Sequence, residues 1–170
     1  MSYIDTSVIV AALDPLDPRQ RSARIVLDDE ERVKVISELV LTELASILVR
    51  RELLFELKAR LDLREELVLP TVLLYLIKRF KLGYERVDGH TKIPVLGELY
   101  SPMAVALNLF TKLKLRTLDS LHVAYSKLLK DKGKEIDSLI TVDEEFKSIV
   151  GKIKEILDIR VRILTQDSYL

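Results

Sequence analysis

Met1-Ser2-Tyr3-Ile4-Asp5-Thr6-Ser7-Val8-Ile9-Val10 is the stretch on which the fold turns. A short apolar run rises to one carboxylate, and Thr6 and Ser7 then open a second apolar run of helical character. Thr or Ser at such a junction can cap the free N–H groups of a helix that starts there. Asp5 thus stands at the carboxyl end of a buried strand and beside a helix N-terminus. In open α/β sheets ligands bind at that edge. Taken singly, an Asp so placed more often helps the turn and complements the helix dipole. What matters is whether other acids converge on the same spot.

Outward from this stretch the chain alternates strands and helices. The first helix stops near Asp14-Pro15, and a second runs from roughly Pro18 to Asp29. Val33-Lys34-Val35-Ile36 is a short strand, with Ser37 as N-cap of a third helix reaching about Arg51. From about Glu52 to Leu115 there is no convincing strand. That segment reads as helices broken at Pro70, at Gly83 and across Asp88-Gly89-His90 to Pro94. A helix from about Thr117 to Lys130 follows, then a strand at Ser138–Val142, a short helix from Asp143 to Val150, and a last strand at Arg160–Leu164. The pattern predicts a three-layer α/β/α fold. Its sheet is mostly parallel, of four to five strands, with right-handed crossovers and an enlarged helical middle at about 52–115. One domain over residues 1–170 is expected.

Composition removes several function classes. Lys+Arg and Asp+Glu balance at 27 each, so no global basic field points to nucleic acid, although a local patch remains open. Zero cysteines exclude disulfides, thiolate chemistry and Cys-ligated zinc, and fit a reducing cytoplasm. The N-terminus opens directly on a strand without a signal-peptide pattern, and the longest apolar run, near Leu67 to Ile77, is too short for a membrane span. A cytoplasmic protein without membrane attachment is expected. Only 5 glycines and no Gly-rich phosphate loop argue against a nucleotide binder. A haloacid-dehalogenase-type phosphatase needs a second Asp two residues after the first, where Ser7 stands. A receiver domain needs paired early acids that are missing.

Among the acids, Glu43 breaks a rule. Its helical neighbours Leu39, Val40 and Ile47 place it on or beside the apolar stripe. A carboxylate buried there without a partner would cost several kcal/mol or turn neutral. A bound cation removes the penalty, and so does a snorkelling position at the stripe edge. Asp119 falls in the first turn of a helix for which Thr117 is the expected N-cap, where the dipole favours a carboxylate. Asp143 repeats the design of Asp5: apolar strand, acid at its end, helix after it. Parallel strands would bring Asp5 and Asp143 to one edge. Carboxylates gathered there need a counter-charge, and oxygen ligands without Cys point to a hard cation, Mg²⁺ or Mn²⁺. Such a site suits phosphoryl chemistry.

Four segments together resemble a known family. They are Tyr3-Ile4-Asp5-Thr6-Ser7, then Ser37-Glu38-Leu39-Val40-Leu41-Thr42-Glu43, then Leu118-Asp119-Ser120-Leu121-His122-Val123-Ala124, and Ile140-Thr141-Val142-Asp143-Glu144-Glu145-Phe146. In order, type and placement they resemble the PIN-domain ribonucleases, most closely the single-domain toxins of VapBC-type toxin–antitoxin pairs. The resemblance implies a metal-dependent endoribonuclease in which Asp5, Glu43, Asp119 and Asp143 are the catalytic acids and hold one or two Mg²⁺ or Mn²⁺ ions. Water activated by the ion would cut the RNA phosphodiester, leaving 5′-phosphate and 3′-hydroxyl ends. On the same pattern Thr6, Ser7 or Thr141 orients a carboxylate or binds phosphate, and His122 is a helix-packing residue. The resemblance further implies a homodimer and an antitoxin protein that masks the acidic pocket. Two alternatives stand beside the toxin: a PIN nuclease of RNA processing, and a non-catalytic PIN-like binding or assembly module. The middle segment is longer than a compact toxin needs. Its Lys78, Arg79, Lys81, Arg86 and Lys92 are either a solvated face or a groove wall for RNA, with the solvated face favoured.

Overall fold

A computed structural model describes residues 1–50 and 64–166. The expected helical stretch from Glu52 therefore lies, up to residue 63, outside the described residues. Strands β1 (Ser2–Ile4), β2 (Lys34–Ile36), β3 (Leu82–Tyr84), β6 (Ser138–Thr141) and β7 (Arg160–Ile163) form one sheet in the order β3-β2-β1-β6-β7. Every pairing in it is parallel. Helices α1 (Thr6–Leu13), α2 (Gln20–Asp28), α3 (Glu38–Arg50), α4 (Glu65–Arg79), α5 (Ser101–Leu113), α6 (Thr117–Asp131) and α7 (Val150–Leu157) flank it in a three-layer α/β/α arrangement. β1, β2 and β6 are buried along their whole length, as parallel strands covered on both faces must be. One apolar cluster joins Tyr3 and Ile4, Val35 and Ile36, and Leu139 and Ile140 with the inner faces of the helices.

Strand order explains where the acids meet. From β1 the chain winds outward through β2 to β3 on one side, then returns to place β6 and β7 on the other. The carboxyl ends of β1 and β6 are therefore a topological switch point, where a crevice opens between diverging loops. Ile4 pairs with Ile140, so Asp5 leaves one strand close to the point where Asp143 leaves the other.

The middle of the chain differs from its expected all-helical form. β3 is a strand of the main sheet, with Leu82, Gly83 and Tyr84 in register with Lys34, Val35 and Ile36. It has three residues, one glycine and a single buried side chain, so no alternation marks it; the free edge of β2 supplies the pairing. Pro70 breaks nothing. It lies exposed in the second turn of α4, at the surface, where the carbonyl deprived of its donor can be hydrated. The breaker residues around Asp88 to Pro94 instead frame an antiparallel hairpin, β4 (His90–Ile93) with β5 (Gly97–Tyr100). Its tip needs left-handed backbone at Val95 and Gly97. The Tyr100 hydroxyl ties the hairpin to the carboxylate of Glu38 at the start of α3.

The basic residues of this segment are mostly neutralised at the surface. Arg79 pairs with Asp28 at 2.8 Å, Lys81 with Glu30 at 2.6 Å and Arg86 with Asp88 at 2.7 Å. Lys78 and Lys92 are exposed. Among the described residues no helix is long and apolar enough to cross a membrane.

Lys34 is the unusual core residue. Its side chain is fully buried, and its ammonium donates to the carbonyls of Leu27 and Asp29 at 2.6 Å each. A cation there closes the C-terminal end of α2 and satisfies its last carbonyls. Lys34→Met keeps the apolar stem and strands those carbonyls. It is expected to cost about 1–3 kcal/mol, read as a lower urea midpoint at unchanged slope. An unchanged midpoint would contradict this role.

Candidate active site

Asp5 is its own helix cap. Its Oδ1 accepts from the Ser7 backbone N–H at 3.0 Å, so the expected capping by Thr6 or Ser7 is replaced by the acid itself. That frees both hydroxyls for other work. Thr6 Oγ1 donates a short hydrogen bond to Glu43 Oε2. Ser7 Oγ accepts from the Val142 backbone N–H and touches Thr141 Oγ1, each at 3.3 Å. Thr141 Oγ1 donates to Asp5 Oδ2 at 2.6 Å and accepts from the Asp143 backbone N–H at 3.0 Å. One threonine at the end of β6 thus fixes the carboxylate of β1 and the turn that carries Asp143.

Glu43 reaches the same spot from α3, half-buried among Val40, Leu44 and Leu48. Its partner is His122. The imidazole Nε2 lies 2.9 Å from Glu43 Oε2 and 3.3 Å from Asp5 Oδ1, and Nδ1 lies 3.3 Å from the hydroxyl of buried Tyr3. Tyr3 in turn meets Ser37 Oγ at 2.7 Å, which turns that hydroxyl toward the core rather than along α3. His122 is therefore more than the helix-packing residue the family pattern suggests: it stands between two of the expected site acids. Burial works against a charged ring, but the charges of Asp5 and Glu43 and the Glu43 hydrogen bond outweigh it and raise the His122 pKa. Burial likewise pushes Glu43 up, while His122 and Thr6 pull it below the ordinary carboxylate range. The two directions agree on a shared proton held as an ion pair.

On the opposite wall Asp119 is less well compensated. α6 starts at Thr117 as expected, but Arg116 rather than Thr117 stands at the cap position, with no side-chain cap. Asp119 still falls in the first turn, 91% buried, and its Oδ2 has no hydrogen-bond partner among the described residues. Burial, then the charges of Asp143 and Asp5, push its pKa up to about 6. Asp143 caps the 3₁₀ turn Glu144–Ser148 by accepting from the Glu145 N–H at 2.8 Å. One oxygen from each of Asp119, Asp143 and Glu145 lies within 4.8 Å of the others. A buried Asp119 with an unpartnered oxygen, beside two further acids, fits a divalent cation held by oxygen donors.

All four sequence-predicted acids line one cleft of about 510 Å³, together with Thr6, Ser7 and His122; Thr141 stands behind Asp5. Glu145 escaped the sequence reading as a site residue. Nothing in Asp143-Glu144-Glu145 distinguishes Glu145 from an ordinary solvated surface glutamate.

The PIN domain family profile matches residues 2–152 of this chain. The protein belongs to the PIN domain family. PIN domains are as a class metal-dependent nucleases, and the acidic cleft at the sheet's switch point matches that chemistry. No significant match was found among curated proteins.

The raised Asp119 pKa gives a pH dependence of definite sign. Between the unfolded value near 3.8 and the folded value of about 6, the folded chain binds the proton more tightly. Stability of the metal-free protein due to this group therefore falls as pH rises through that window. Each tenfold difference in proton affinity between the folded and unfolded chain is worth about 1.4 kcal/mol. Asp119→Asn is thus expected to stabilise the metal-free protein by about 2–3 kcal/mol at pH 7 and by little at pH 4. Denaturation at both pH values in chelator checks it; equal differences at the two pH values would contradict it.

Proposed function

We propose that this PIN domain is a Mg²⁺- or Mn²⁺-dependent endoribonuclease and the toxin of a toxin–antitoxin pair. The buried, unpartnered Oδ2 of Asp119 carries the reading, because a lone desolvated carboxylate beside Asp143 and Glu145 is otherwise a cost without a return. Asp119 and Asp143 would hold the ion, with Asp5 and Glu43 completing the acidic set. The bound ion supplies Lewis-acid polarisation of the phosphodiester and an acidified water at neutral pH.

The chain's own residues do the positioning. Ser7 N–H and Thr141 Oγ1 lock the two oxygens of Asp5, so that carboxylate meets the ion without rotamer loss. Thr6 and His122 both hold Glu43 through Oε2 and engage only that one of its two oxygens. His122 Nε2 stands between Asp5 and Glu43, and the protonated ring favours the charged form of Glu43. A cleft of this size falls in the usual ~300–1,000 Å³ range of ligand sites and admits a phosphodiester with part of its flanking nucleotides. In the toxin reading the cognate antitoxin covers this cleft with a cationic side chain, and the protein acts as a homodimer.

Cleavage of a mixed RNA pool with and without Mn²⁺ or Mg²⁺ tests the reading. Metal-dependent cutting by the wild type and a loss of at least about 10²-fold in Asp5→Asn are expected. Loss of a ligand should exceed the ~10–100-fold cost of losing a supporting contact. A folded, inhibitor-free wild type that cuts no RNA class with either metal would overturn it in favour of a binding module. Thr141→Val removes a supporting contact only, so a loss of roughly 10–100-fold with partial recovery at high Mn²⁺ is expected in the same assay.

A further inference from the structure

Among the described residues, three cationic side chains line the cleft: Arg19, His122 and Arg116. Two are committed. Arg19 grips Asp17 through Nε at 2.9 Å and one terminal nitrogen at 2.8 Å, and its other terminal nitrogen donates to the Val142 carbonyl at 3.0 Å. His122 is enclosed by Asp5, Glu43 and Tyr3. Arg116 is different. Its side chain is 75% exposed, and its guanidinium is paired with the carboxylate of Glu145, itself 39% exposed.

That pairing sets up a competition. Glu145 is one of three acids, with Asp119 and Asp143, that each bring a carboxylate oxygen within 4.8 Å of the others, and Asp119 carries an oxygen without a partner among the described residues. While Arg116 holds it, Glu145 is occupied by a cation other than the metal ion. A guanidinium fork fits a phosphate as well as it fits a carboxylate. An exposed ion pair contributes little to stability, so changing partners costs little. Arg116 also stands at the N-cap of α6, whose first N–H groups carry no side-chain cap and favour an anion nearby.

We propose that Arg116 is the RNA-phosphate-binding residue of the cleft and exchanges partners when substrate arrives. Its guanidinium leaves Glu145 for two oxygens of an RNA phosphate, and the released Glu145 carboxylate turns to the ion at Asp119 and Asp143. RNA and metal binding then strengthen each other, because each removes the competitor of the other. No bond is made or broken in the exchange; one charge pair is traded for two. The proposal rests on the ribonuclease reading above and names the residue that couples its substrate to its ion.

Binding of a labelled single-stranded RNA in chelator, where no ion competes, isolates the exchange from cleavage. Glu145→Gln frees Arg116 and is expected to tighten RNA binding about tenfold, with Arg116→Ala weakening it and lowering the salt slope by about 1. In the double variant the gain from Glu145→Gln should vanish. An equal gain with and without Arg116 would mean that only the lost negative charge matters, and would overturn the proposal. Mn²⁺ binding without RNA, followed by electron paramagnetic resonance, gives a second readout. Arg116→Ala should bind Mn²⁺ several-fold more tightly than the wild type, and unchanged or weaker binding would also overturn it. If the wild type neither binds nor cuts RNA, the ribonuclease reading fails with it. If the wild type cuts RNA but Arg116→Ala binds it equally well, the exchange alone fails.

Discussion

Carboxylates brought to one edge of a parallel sheet repel one another and resist desolvation, and the cleft of this protein is built around that repulsion. The pairing of β1 with β6 forces it, because Asp5 and Asp143 leave neighbouring strands at the same end. Each acid is first a local necessity. Asp5 caps α1 and Asp143 caps the 3₁₀ turn, so the sequence that ends each strand also starts the next element. The chain obtains negative charge at the switch point from residues that folding already requires there.

Compensation of that charge is lopsided. On the Glu43 side, His122 and Thr6 satisfy the carboxylate and the Tyr3 hydroxyl backs the ring, so this half is stable as it stands. On the Asp119 side, burial and neighbouring acids leave a carboxyl whose pKa is pushed up to about 6 and an oxygen with no partner among the described residues. An added cation therefore gains most at Asp119 and Asp143. An ion bound there would stabilise the fold by offsetting the cost of that buried carboxylate.

Much of this was legible in the sequence, and the parts that were not have physical reasons. Strands β1, β2 and β6 each centre on a short apolar pair, Tyr3-Ile4, Val35-Ile36 and Leu139-Ile140, soon followed by an acid or a serine, and buried parallel strands leave that kind of signature. Glu43 betrayed itself by sitting on an apolar stripe. β3 left no pattern, because three residues with one buried side chain carry no period, and only the edge of β2 makes them a strand. Pro70 and the Asp88–Pro94 stretch carried breaker residues whose effect depends on context: an exposed second turn tolerates one, and a hairpin is built from the others. His122 was visible one turn beyond Asp119, but its partners Asp5 and Glu43 are far away in sequence, so spacing alone could not show the bridge. Glu145 was hidden by its exposure, since a surface glutamate is ordinarily solvated.

The central claim is that the uncompensated half of the cleft is a cation site. A crystal grown or soaked with Mn²⁺ and measured at the manganese absorption edge tests it without reference to catalysis. The expected result is an anomalous peak within coordination distance of Asp119 Oδ2 and a carboxylate oxygen of Asp143. A cleft without a peak at saturating Mn²⁺, with Asp119 still unpartnered, would contradict the account.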